Sequence, residues 1–155
     1  MRILTACALC ISLAGICLAV VIHETTTYRT PLRRISGSVI GCGDVNPGVK
    51  VKLFDKPEVW ADDSLSFDDR RKRQKLIATT LTDAKGKFEF RGVHKGSYEV
   101  QFSAGNGGWN ILSVFVNVDP TGSHDRLCVE LSLEGAGPKP SVEACHLTPA
   151  SFRTC

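Results

Sequence analysis

From Val49 to Leu53 the chain alternates apolar and charged side chains, Val-Lys-Val-Lys-Leu, before Phe54 closes the run. A period of two places Val49, Val51 and Leu53 on one face of a half-buried strand. Lys87 to Arg91 repeats the pattern, with Phe88 and Phe90 on one side and Lys87, Glu89 and Arg91 on the other. Turn chemistry brackets this second run. Asp83 can hydrogen-bond its own backbone, Gly86 accepts positive φ, and Gly92 follows. Five further runs read as strands: Arg33–Ile40, whose pattern Gly37 interrupts, Leu76–Leu81, Ser97–Ser103, Ile111–Val118 and Leu127–Leu133. In the last, Leu127, Val129, Leu131 and Leu133 share a face and Cys128 takes the other. Seven short strands, turn residues between them and no long amphipathic helix predict an all-β fold. The expected form is a seven-stranded antiparallel Greek-key β-sandwich whose two sheets bury their apolar faces against each other.

The remaining segments break this alternation. Ile3 to Ile22 carries no charge and predicts an N-terminal hydrophobic helix. It fits a cleaved signal, with Cys17-Leu18-Ala19 offering the small residues a cleavage site needs, or an uncleaved anchor, since about 20 apolar residues can span a bilayer. Arg2 on one side and Arg29, Arg33 and Arg34 on the other leave both open. The expected organisation is a signal or anchor over 1–22, a Thr-rich linker over 23–32, the sandwich over 33–134 and a cysteine-containing tail over 135–155. Pro57–Lys75 is one long insertion, acidic at Asp62, Asp63, Asp68 and Asp69, then basic at Arg70, Arg71, Lys72, Arg73 and Lys75. It is expected as a mobile loop, with a helical turn as the alternative.

Composition narrows the classes. The 155 residues suit one domain of ordinary size, and a net charge of +3 with interleaved signs lacks the basic stripe of a nucleic-acid protein. Three of the seven cysteines lie in the apolar run, which leaves Cys42, Cys128, Cys145 and Cys155. An even set in an exported domain favours disulfides, with three connectivities possible. Cys42–Cys128 with Cys145–Cys155 is preferred, because the first pair sits near strand ends and the second closes a short tail loop. No C-x-x-C pair occurs among these four and His94, His124 and His146 lack finger-like spacing, so no metal and no other cofactor is expected. The chain is expected in a secreted, periplasmic or cell-surface location, tethered through residues 3–22 if that helix stays attached.

Gly37-Ser38-Val39-Ile40, Pro47 to Leu53, Thr82-Asp83 through Gly86-Lys87-Phe88-Glu89-Phe90, and Gly92-Val93 with Gly96-Ser97-Tyr98 resemble one family. These motifs are similar to the carboxypeptidase regulatory-like domains, which share a transthyretin-like (prealbumin-like) or Cna-B-type β-sandwich. Residues 33–134 are covered. Val49 to Phe88 also resembles secreted nematode transthyretin-like proteins, a likeness that fades past Gly96. The resemblance implies the sandwich and its turns and transmits little about activity. A metallocarboxypeptidase needs a separate catalytic domain. The related purine-breakdown hydrolases end in Tyr-Arg-Gly-Ser, whereas this chain ends Ser151-Phe152-Arg153-Thr154-Cys155. The Lys–Asn isopeptide bond of some Cna-B domains, here Lys50 or Lys52 with Asn117, needs a buried lysine, and alternation turns both lysines to solvent.

Candidate chemistry sits in loops. In Gly105–Asn110, Trp109 is placed to stack on a sugar ring while Asn106 and Asn110 bond its hydroxyls, as in the related starch-binding-like sandwiches. A hairpin whose Trp caps the core edge explains the same residues. Trp60 either joins that surface or covers the insertion. Arg70-Arg71-Lys72-Arg73 fits an Arg-x-Lys-Arg processing site or an anionic surface, and equally a solvated loop neutralised by the four Asp residues. His94 and His124 read as loop residues, with no Gly-x-Ser-x-Gly elbow and no phosphate loop nearby. The expected function is a non-enzymatic exported binding module for an unidentified protein or glycan. The alternative is carbohydrate binding through Trp109, and a small hydrolase is the least favoured reading.

Overall fold

The computed structural model describes residues 23–41, 44–103, 111–131 and 141–144. Over these the chain forms β1 (His23–Thr27), β2 (Ile35–Gly41), β3 (Asp44–Val45), β4 (Lys50–Phe54), β5 (Leu76–Leu81), β6 (Lys87–Phe90), β7 (Gly96–Ser103), β8 (Ile111–Val118), β9 (Leu127–Leu131) and β10 (Ser141–Ala144). Sheet A runs β1-β8-β7-β4-β5; sheet B runs β10-β9-β2-β3, with β6 also pairing β2. All seven expected strands are present, some shorter than the sequence suggests.

The expected seven antiparallel strands need correction on two counts. Ten strands form among the described residues, and two of their pairings are parallel: β1 with β8, and β2 with β9. The additional strands are short and lack an alternating signal; β1 is His-Glu-Thr-Thr-Thr and β3 is two residues long. Such segments join a sheet through backbone hydrogen bonds at an edge, which composition does not reveal. Residues 23–27, expected as linker, therefore pair with β8, and residues 141–144, expected as tail, pair with β9.

The core lies between the sheets. Val51, Leu53, Val100, Phe102, Leu112 and Val114 of sheet A meet Ile35, Val39, Phe88, Phe90, Leu127 and Val129 of sheet B. Phe88 and Phe102 pack edge to face at 5.3 Å between centroids, a favoured aromatic geometry. Gly37, which breaks the alternation of β2, sits where a Cβ would lie 2.1 Å from the carbonyl oxygen of Leu127. Only glycine lets β2 and β9 approach that closely. In the Asp83–Gly86 turn, Gly86 adopts φ +68° and its carbonyl accepts from the Val39 amide at 2.8 Å, so the turn is tied to sheet B.

The insertion departs most from expectation. It is not an irregular loop: Pro57–Ala61 forms a 3₁₀ turn and Phe67–Arg73 a short helix, α1. Ser66 caps α1 by accepting from the Asp69 amide. Asp68 and Asp69 occupy its first turn and Arg70 to Arg73 its last, matching the helix dipole at both ends.

Candidate functional site

Sheet A has an outer face that ordinary alternation would leave wet. Glu99 and Gln101 on β7 and Ser113 on β8 point to it, yet all three are buried, Glu99 and Ser113 completely. The 3₁₀ turn and α1 supply the cover. Trp60 comes from the turn, Arg71 from α1, and Gln74 from the helix C-cap.

These side chains converge on the Glu99 carboxylate. Oε2 accepts from Trp60 Nε1 at 2.7 Å, Gln74 Nε2 at 2.9 Å and an Arg71 guanidinium nitrogen at 3.3 Å. Oε1 accepts from the other Arg71 nitrogen at 2.9 Å and from Ser113 Oγ at 2.5 Å. Gln74 closes the ring, its Oε1 accepting from Trp60 and Arg71 and its Nε2 donating to the Asp55 carbonyl. Aromatic rings surround the cation. The Arg71 guanidinium lies 4.1 Å from the Phe54 centroid and 5.3 Å from that of Trp60. Trp60 in turn meets Phe67 edge to face at 5.3 Å.

Burial alone would push the Glu99 carboxyl up, and that is the largest single influence on it. The hydrogen bonds and charge of Arg71, with the hydrogen bonds of Ser113 and Gln74, outweigh it and hold the group below the usual carboxylate range. A carboxylate whose acceptor positions are filled by five donor contacts has none left for a substrate proton. Its work is to hold the insertion down on the sheet.

Beside this latch the insertion and the sheet frame an open groove of about 440 Å³. Thr27 of β1, Phe115 and Asn117 of β8 and Ser97 of β7 line the floor; Pro57 and Glu58 line the wall. Phe115 joins the two features, since its ring lies 6.3 Å from Trp60. The groove offers an aromatic surface with an amide and a hydroxyl beside it.

Of the residues singled out from sequence, Trp60 covers the insertion and gives its indole N–H to Glu99. Trp109, Asn106 and Asn110 lie outside the described residues, as do Cys42, Cys145 and Cys155. Cys128 is half-buried on β9, opposite Ser38 of β2. Arg70 to Arg73 are not a uniformly solvated run: Arg71 pairs with buried Glu99, and Arg70 donates to the Asp62 carbonyl at 2.8 Å. Lys50 is exposed and Lys52 half-exposed, as alternation requires. His94 is exposed in the turn before β7, and His124 Nδ1 lies 2.8 Å from Ser123 Oγ. Glu99, Ser113 and Phe115 were missed. Glu99 carries one signal, an acidic residue at an outward position between the apolar Tyr98 and Val100.

No family model matches the chain, and no curated protein does either. Among solved structures, sea bream transthyretin, determined in complex with thyroxine, is similar at a TM-score of 0.46 and 15% identity. The match covers 74% of this chain and 98% of that one. The chain is a mostly β, two-sheet sandwich with one short α-helix among its described residues.

Proposed function

We propose that the chain is a non-enzymatic, exported binding module of the carboxypeptidase regulatory-like or transthyretin-like kind. Its binding surface is the groove beside the 3₁₀ turn, and the ligand is an apolar side chain, aromatic or aliphatic, projecting from a partner protein. The observation that carries this reading is the groove itself: Phe115 half-exposed on a rigid sheet, walled by Pro57 and Glu58 of a segment that Glu99 fixes in place. An open trough with Ser97 and Asn117 at hand suits a protruding side chain flanked by backbone polar groups better than a fully enclosed small molecule. The absence of a free acceptor on Glu99 supports the non-enzymatic part, and the uncharged run Ile3–Ile22 supports export. Selection of a random peptide library on the full-length chain tests the proposal. Enriched peptides should share a large apolar residue, and Phe115→Ser should weaken them by at least about tenfold, the scale of a lost buried aromatic contact. Peptides without that residue, or binding unchanged in Phe115→Ser, would overturn it.

A further inference from the structure

The strands that floor the groove stand in the order β1-β8-β7, with Phe115 on the middle one. β1 and β8 run parallel with Thr27 opposite Phe115, and the Tyr28 amide donates to the Phe115 carbonyl at 2.8 Å. A regular parallel ladder advances two residues on each strand between such bonds, so Thr30 would next reach Asn117. Instead Leu32 donates to the Asn117 carbonyl, at 2.8 Å, and the chain bulges by two residues between Tyr28 and Leu32. A bulge at a sheet edge re-aims the side chains it carries. Here it sets Arg29, which is exposed, on the β1 side of the groove. The opposite rim is the 3₁₀ turn, held over β7 by the bond from Trp60 to Glu99, and it carries Glu58, also exposed.

Opposite charges therefore flank Phe115, and neither Arg29 nor Glu58 forms an ion pair among the described residues. Lys95, at the foot of β7, is engaged with Asp119 at 2.8 Å, and Lys56, ahead of Pro57, lies outside the groove lining. Given that the groove takes an apolar side chain of a partner protein, we propose that the partner segment is extended and bipolar. Its apolar residue sits over Phe115, an acidic side chain two residues to one side meets Arg29, and a basic one two residues to the other meets Glu58. β1 and β7 are two strand spacings apart, about 10 Å. Alternate side chains of an extended segment point the same way about 7 Å apart, so positions two before and two after the apolar residue reach both rims, whereas its immediate neighbours point away. Ser97 and Asn117, exposed on the floor, are left for the backbone of the segment. A wholly acidic or wholly basic segment would satisfy one rim and be repelled at the other.

Fluorescence anisotropy of labelled synthetic peptides on the full-length chain tests this. Each peptide carries one tryptophan in a glycine-serine background, with a glutamate and an arginine two residues to either side, in both orders. One order should bind about tenfold more tightly than its counterpart with both charges replaced by glutamine, as two rim ion pairs together would give. Moving the charges next to the tryptophan should cancel the gain. Arg29→Glu and Glu58→Arg should each remove it, and the double exchange should restore it for the opposite order of charges. In about 1 M salt, where the Debye length is about 3 Å, the gain should disappear while binding that depends on Phe115 remains. Charged and uncharged peptides binding alike, or a double variant that keeps the original order, would overturn this proposal and leave the apolar groove standing. No binding, or binding that Phe115→Ser does not weaken, would overturn both.

Discussion

The inner face of sheet A and the patch around Glu99 on its outer face are both buried, by opposite means. The inner face carries Leu53, Val100, Phe102 and Val114 and packs against sheet B with no polar side chain among them. The outer face carries Glu99, Gln101 and Ser113, and Glu99 with Ser113 is sealed by side chains that must meet in one geometry. Apolar contact is non-directional and scales with area. A buried carboxylate is tolerated only while its donors stay in place. The first face therefore sets how stable the sandwich is, and the second sets where the insertion sits.

Truncating the inner face should break the comparison most severely. Phe102→Ala removes a fully buried ring and should cost about 4 kcal/mol of global stability, read as a lowered denaturant midpoint. On the outer face, Glu99→Ala should cost less, about 2 kcal/mol, although it strands Arg71. The insertion can open and return the guanidinium to water, so the loss is limited to the free energy with which the insertion docks. Trypsin should then cut among Arg70–Arg73 while the sandwich stays folded. Simultaneous loss of the sandwich would show that the two faces are not separable. The gentlest test is acid. The folded Glu99 carboxyl lies below its unfolded value of about 4.3, so its contribution is complete above that pH and is lost as pH falls through the lower folded value. In a Trp109→Phe background, Trp60 emission should shift in that acid range while the β-sheet circular dichroism persists. Glu99→Gln should abolish the shift.

The two faces also differ in how far the sequence disclosed them. Inner positions such as Val51, Leu53, Phe88 and Phe90 announce themselves by alternation, because a core selects for a class of side chain. The outer cover depends on particular pairs far apart in the chain, Arg71 with Glu99 and Trp60 with Glu99, and no local pattern encodes a pair. Part of it was nevertheless legible. Ser66 three residues before Asp69, with acids leading and bases trailing, is a helix-start and dipole signature. Strand direction was illegible for a different reason. The side chains of β2 and β9 look the same whether the pair runs parallel or antiparallel, since both put alternate residues inward.

That parallel pair also sets a timetable. β7 and β8 are antiparallel neighbours close in sequence, β4 and β5 are joined across the insertion, and every pairing within sheet A uses strands that precede β9. β2 must wait for β9: the hydroxyl of Ser36 finds the Asp125 carbonyl across 89 residues. Contacts that distant are slow to form, and during synthesis they do not exist until the later strand has left the ribosome. Sheet A is thus expected to assemble first and to present its bare inner face until β9 arrives, which makes the interval before Leu131 emerges the time at which a nascent chain most needs protection.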